Sequence, residues 1–313
     1  MLGISLHDDY LSFAATTDDA DSRVIDQTGI IEFPFGFTKK NLLSDSCSQD
    51  LIMLFKELKN TLEFPQNTSR LSLPAHLLTI KMSSGDAAED EAELKEYQRW
   101  TTSVHLGQES YGLLKKQQII SEDKEGKSTV GVFFYPKIIE HILEAAEFVR
   151  LGIESIDINP FAAYETVKKN YDISNYERHS ILYFDKPDTI TLNIYNRERL
   201  IKYTTFKISS SGPVFYNALD AELLSIAKLL SEDEWDNNLF DKLGPSFVYG
   251  SRNSVESIYD KIDKAYFMEF VNPFVNYKIF KHTRIIDNDI EALSDNLFVE
   301  VAGTLFRGMT END

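Results

Sequence analysis

A single cysteine in 313 residues, Cys47, leaves no partner for a disulfide and no cysteine cluster for a metal, which fits a reducing compartment. It stands among Ser44, Asp45, Ser46 and Ser48, with no adjacent cation to lower its pKa, so it is no candidate nucleophile. Cations are also scarce: 32 Lys and Arg face 50 Asp and Glu, for a net charge of −18. No cationic stretch is longer than a pair such as Lys168-Lys169. So anionic a chain, without a basic face, repels phosphate backbones and anionic lipid, which excludes a general nucleic-acid binder and argues against direct membrane insertion. Long apolar runs are missing too. Val132-Phe133-Phe134 is far too short to cross a bilayer, and Met1 to Asp8 lacks the basic and apolar regions of a signal peptide. The expected location is the cytoplasm. The six histidines (His7, His76, His105, His141, His179 and His282) form no His-x-x-x-His or His-Glu-x-x-His spacing. No Gly-x-Ser-x-Gly elbow, P-loop or dinucleotide-binding glycine motif is present.

What the chain does have is an ordinary core composition, 42% hydrophobic and 26% charged, and a clear periodicity. Leu2 to Leu6 and Tyr10 to Ala15, separated by His7-Asp8-Asp9, read as strand, turn, strand. A strand follows at 29–35, a helix at 50–62 with Leu51, Leu54, Phe55, Leu58 and Leu62 at helical spacing, and a strand at 70–73 ending at Pro74. The next block, 76–158, has its own order. A strand at 77–82 precedes an acidic helix with Glu89, Asp90, Glu91, Glu93 and Glu96 around Leu94, Tyr97 and Trp100, whose carboxylates read as a solvated face. Strands at 111–120 and 129–135 lead to an amphipathic helix with Ile138, Ile142, Ala145, Ala146 and Val149 on one face, and Gly152 stands where a left-handed cap is expected. After a strand at 153–158 and a helix opened by Asn159-Pro160, the opening pattern returns. Strands at 181–184, 189–195 and 200–207, with turns at 185–188 and 196–199, precede a helix at 214–230 and a strand at 246–249. A helix at 255–262, a strand at 267–270 and a last helix with Ile290, Leu293, Leu297, Val301 and Leu305 on one stripe complete the chain. Ala302 and Gly303 on that helix are expected where it approaches a sheet closely. Strands then helices, twice over, argue for a duplicated α/β architecture with an inserted block.

Several segments in this order resemble the PilM family of type IV pilus assembly proteins, which are actin-like and related to the cell-division protein FtsA. They are Leu2-Gly3-Ile4-Ser5-Leu6, Ser72-Leu73-Pro74, Glu93 to Trp100 with its Arg99-Trp100 pair, and Val130 to Phe134 followed by Glu140 to Gly152 and Ile156 to Ala162. Phe270 to Phe274 and Val301 to Gly308 match two late motifs. The resemblance implies a duplicated actin-like (ribonuclease H-like) fold with an inserted α+β subdomain: 1–75 as the first half, 76–158 as the insertion, and 159–313 as the second half, whose last helix returns to the core. It also implies a cytoplasmic scaffold of an inner-membrane pilus or secretion platform. Its partner would be the cytoplasmic N-terminal peptide of a PilN-like single-span membrane protein, with a link to the assembly ATPase. The family's peptide groove would draw its walls from about 30–36 and 76–135, and an acidic host favours a basic peptide.

The departures from the family bear on nucleotide. Its first hairpin carries an acid that helps hold hydrated Mg²⁺ and glycines whose N–H groups wrap phosphate. Here those positions are Ser5 and His7, followed by Asp8 and Asp9, and two carboxylates repel a triphosphate. The second hairpin reads Phe184-Asp185-Lys186-Pro187-Asp188-Thr189, with no glycine and a proline that lacks a donor. The later glycine pairs are reduced to Ser211-Gly212 and Gly250-Ser251. Both turns are therefore expected to be plain solvent turns, with no catalytic residue, no metal and no required cofactor. A residual ATP/Mg site would draw on Gly250, Ser251, Ser211, Gly212, Asp185 and Lys186. The rival readings are a nucleotide-binding actin-like ATPase or phosphotransferase and, third, an FtsA-like filament former, for which the acidic end Met309 to Asp313 offers no membrane helix.

Overall fold

The computed structural model describes residues 1–16, 24–33, 35–64, 66–85, 114–122, 127–186, 188–208, 214–228, 243–251, 254, 268–275, 278–279, 282–283 and 296–307. The first half opens with β1 (Leu2–Leu6), β2 (Tyr10–Ala15), β3 (Val24–Ile25) and β4 (Gln27–Glu32), then α1 (Lys39–Leu42), α2 (Cys47–Thr61) and β5 (Thr68–Leu73). A 3-10 turn, Ala75–Leu77, leads to β6 (Thr79–Gly85), β7 (Leu114–Glu122), β8 (Lys127–Phe134), α3 (Pro136–Phe148), β9 (Gly152–Ile158) and α4 (Asn159–Asn170). The second half contains β10 (Arg178–Lys186), β11 (Thr189–Asn196), β12 (Arg199–Lys207), α5 (Val214–Lys228), β13 (Ser246–Gly250), β14 (Met268–Phe270), β15 (Lys278–Ile279), β16 (His282–Thr283) and α6 (Val299–Phe306).

The two large sheets carry the duplication. One runs β4-β2-β1-β5-β9, with β16 added beside β4, and the other runs β12-β11-β10-β13-β14. In each, an antiparallel three-stranded meander is followed by two parallel strands. The registers match the alternation in the sequence, with Ile4 opposite Phe13 in one meander and Leu182 opposite Leu192 in the other. Parallel pairing at the sheet centre leaves both faces covered, and accordingly β1 and β13 are buried at every residue. Between β5 and β9 the chain makes a separate antiparallel sheet, β6-β8-β7.

α2 and α3 pack together over the first sheet, burying Leu51, Leu54, Phe55 and Leu58 against Ile138, Ile142, Ala145 and Ala146. α3 ends in a Schellman motif, but not at the expected glycine. Arg150 takes the left-handed conformation (φ 58°), its N–H donating to the Glu147 carbonyl while the Leu151 N–H reaches Ala146. Gly152 instead opens β9, and its N–H donates to Asn67 O at 2.8 Å. The helix stops two residues earlier than the glycine suggests because Leu151 is pulled into the core.

α6 ties the molecule together. All eight of its residues are buried, against β1, β2 and β5 on one side and α4 on the other. Ala302 packs among Tyr10, Ala14, Ile25 and Ile30. Gly303, one residue on, does not face the sheet as expected. A Cβ there would lie 1.7 Å from Ala162 O and 2.9 Å from Thr166 Oγ1, both on α4, so the close approach is helix on helix. Thr166 Oγ1 donates to Val299 O at 2.5 Å and fixes the crossing. Of the expected elements, the acidic helix 89–100, the helix at 255–262 and the stripe residues Ile290 and Leu293 lie outside the described residues.

Candidate functional site

Two places collect chemistry: the junction between the halves and a cleft along β9. At the junction, β1 brings Ser5 and His7 to its end, where the His7 N–H donates to Tyr10 O to close the turn. His7 is no solvent residue. It is 5% exposed, stacks on Tyr10 at 4.1 Å between ring centres, and places Nε2 3.2 Å from Ser12 Oγ. The expected plain solvent turn fails at this position because α6 closes over it, although Asp8 and Asp9 beyond it do reach solvent. Ser5 Oγ donates to Glu300 Oε2 on α6 at 3.1 Å and lies 3.3 Å from Asn159 Oδ1, while Asn159 Nδ2 donates to Leu6 O at 3.0 Å. His7 Nδ1 lies 3.5 Å from the same Glu300 oxygen. Tyr249 of β13 turns its hydroxyl toward this carboxyl without completing a hydrogen bond.

Burial dominates the titration of this cluster. It pushes the Glu300 carboxyl up to about 8 against the opposing pull of Ser5, and pushes the His7 imidazole down to about 3, with His76 adding to the fall. At neutral pH both groups are therefore uncharged. Ser12, His7 and Glu300 stand in the order of an acyl-transfer triad, but Ser12 is fully buried, so no substrate reaches its hydroxyl.

The residues named for a residual nucleotide site are partly brought together. Asp185 and Lys186 end β10, and Ser251 follows β13. The Ser251 hydroxyl donates to Asp185 O and its N–H to Phe184 O, while the Gly250 N–H donates to Asn296 Oδ1 at 3.0 Å. The backbone donors that a phosphate would use are thus engaged internally. The Asp185 carboxyl is held above its ordinary range by burial first and by Asp8 second, so two acids converge where a phosphate would sit. Lys186 is exposed; Ser211, Gly212 and Pro187 lie outside the described residues. Among the described residues no group of three or more His, Cys, Asp or Glu side chains is arranged to hold a metal.

The second place is a cleft of about 710 Å³. Its floor is β9, the last strand of its sheet among the described residues, from Ile153 to Ile158. Val130, Val132 and Phe134 of β8 form one wall, Ile139 and Leu143 of α3 with Leu78 another, and Phe161 and Arg307 close one end. The segment 30–36, expected as a wall, is absent from it. Phe33 and Phe37 are buried in the first-half core, and Phe35 packs on them at 5.3 and 6.3 Å. Among the described residues the charged side chains lining the cleft are Glu154, Asp157 and Arg307. Arg307 pairs with Asp157, and Arg70 pairs with Glu154 at 3.5 Å, so little free charge remains.

Sequence reasoning missed Glu300, Asn296 and the β9 edge. Glu300 had a readable signal, a lone acid inside Phe298-Val299-Glu300-Val301-Ala302.

A duplicated meander-plus-parallel sheet with a helix wedged at the junction defines an actin-like fold. No protein-family model and no curated protein matches the sequence. Among solved structures, the chain is similar to a PilM-PilN type IV pilus biogenesis complex, with a TM-score of 0.66 at 13% identity, over 99% of this chain and 98% of that one. It is also matched, more distantly, to the cytoplasmic domain of EpsL, an inner-membrane component of the type II secretion system of Vibrio cholerae (TM-score 0.49, 9% identity, 98% and 94% of the two chains). A protein of Bacteroides thetaiotaomicron with an actin-like ATPase fold and unknown function gives a TM-score of 0.46 at 13% identity, over 94% and 93%. The first similarity establishes the fold over essentially the whole chain.

Proposed function

We propose that this chain is a scaffold of an inner-membrane pilus or secretion assembly platform, holding a short N-terminal cytoplasmic peptide of a single-span membrane partner in the cleft along β9. The observation that carries the reading is an apolar cleft built beside a sheet edge. An extended peptide there gains main-chain hydrogen bonds from β9 and places alternate side chains against Val132, Phe134 and Leu143. The fold likeness to a PilM-PilN complex supports the same reading. Attachment to the membrane then comes through the partner; among the described residues no helix is long and apolar enough to cross a bilayer. Linkage to an assembly ATPase belongs to the proposal as well. With the charges of the described lining already paired, these walls favour an apolar segment over the basic one expected from the acidic composition.

The test is titration with a synthetic peptide copied from the N-terminus of the single-span membrane protein encoded beside this chain. Val132→Asp places a charge in the cleft at a half-buried position and should weaken binding at least tenfold, about 1.4 kcal/mol, with an unchanged melting temperature. Equal affinity for both proteins would remove the cleft from the reading.

The rival enzyme reading makes the opposite demand on the junction. Calorimetry with ATP and Mg²⁺ should show no binding in the micromolar range, because Gly250 and Ser251 N–H are engaged and Asp8 and Asp185 oppose a triphosphate. Micromolar ATP binding would favour the ATPase instead.

A further inference from the structure

Glu300 is where the two halves meet. It rides on α6, yet its carboxyl is held by Ser5 of β1 at 3.1 Å and faces Tyr249 of β13. It is 2% exposed, and its Oε1 has no hydrogen-bond donor. The polar and titratable groups around it are Ser5 from β1 and His7 just after it, Tyr10 from β2, Asn159 from α4, Tyr183 and Asp185 from β10, and Tyr249 from β13, with His76 facing His7 and Asp8 facing Asp185. Of the groups directly around Glu300, His7 is the one that could become cationic, and its Nδ1 stands 3.5 Å away without forming a hydrogen bond. A carboxylate formed here would have an acid nearby in Asp185, no donor to its Oε1 and, among the described residues around it, no counter-charge.

We propose that Glu300 is a proton-dependent latch between the halves: uncharged, it keeps α6 seated against β1 and β13, and loss of its proton releases that junction. The latch does not depend on the peptide reading, since none of its groups lines the β9 cleft. Its working range follows from the burial of the two partners. In the opened junction Glu300 and His7 titrate near their ordinary values, 4.5 and 6.5, and in the closed one near 8 and 3. Opening therefore releases a proton from Glu300 at any pH between about 4.5 and 8, and takes one up on His7 between about 3 and 6.5. The two cancel from about 4.5 to 6.5, which leaves a net release from about 6.5 to 8.

Hydrogen exchange of the β1 and β13 amides in the intact protein, corrected for intrinsic rates, tests this directly. The opening constant should be flat from about pH 4.5 to 6.5, rise roughly tenfold per pH unit to about 8, and then level off. In Glu300→Gln the rise above pH 6.5 should vanish. In His7→Asn it should begin about two units lower, because the offsetting group is gone, and this arm stands even if the glutamine variant does not fold. A merely structural role would change opening by one factor at every pH and leave the slopes unmoved. A wild-type junction with no slope from 6.5 to 8, or a glutamine variant that keeps it, overturns the latch.

Discussion

Gly303→Leu should fail to fold, and Gly303→Ala alone should lose about 1–3 kcal/mol or more. The first added carbon would lie 1.7 Å from Ala162 O, inside any contact real atoms tolerate, and the obstacle is backbone rather than a side chain that could swing away. α6 and α4 would have to separate, which breaks the Thr166-to-Val299 hydrogen bond and unseats Val301 and Leu305 from the sheet. Urea titration reads the loss as a lower midpoint. An alanine variant as stable as the parent would mean that the helices do not cross at this residue.

Glu300→Gln should have the second-largest effect, and in the stabilising direction. The Glu300 carboxyl binds its proton more tightly in the folded state, up to about 8 from an ordinary 4.5, because burial penalises the charge. Below pH 4.5 both folded and unfolded chains carry the proton, and the group costs nothing. As pH rises toward 8 the unfolded chain ionises and the folded one does not, so the Glu300 contribution to stability falls across that window; His7 offsets it in the parent up to about pH 6.5, and the comparison with the glutamine variant isolates it. Glutamine keeps a hydrogen-bonding group of the same shape and has no proton to lose. The variant should match the parent near pH 4 and exceed it at pH 8 by on the order of 3–5 kcal/mol. Denaturant titrations at the two pH values decide this; a glutamine variant equally destabilised at both would show a group held only by its hydrogen bonds.

Much of the fold was legible because its signals are local. The hairpins β1-β2 and β10-β11-β12 declare themselves by alternation and short polar turns, and the repetition of that pattern gives the duplication. α3 is written in its apolar stripe. What could not be read depends on tertiary contact. Arg150 takes a left-handed position that favours glycine because Leu151 is drawn into the core. His7 looks like a turn residue and is buried by a helix nearly three hundred residues later in the chain. The apolar run Phe33 to Phe37 reads equally well in sequence as groove or core, and packing puts Phe33 and Phe37 in the core. The strand β9 that lines the cleft alternates weakly, with burial that follows no two-residue period. Glu300 stands out in sequence as a lone acid in an apolar stretch, but what holds it is not local: its partners come from β1, β13 and α4.

Hydrogen exchange on the full chain, with and without the partner's N-terminal peptide, tests the scaffold reading most directly. Peptide in the cleft should slow exchange along 152–158 of β9 and 130–134 of β8, and leave the turns at 7–9 and 184–186 and the residues 250–251 unchanged. Protection at those turns and residues, with none along β9, would contradict the account.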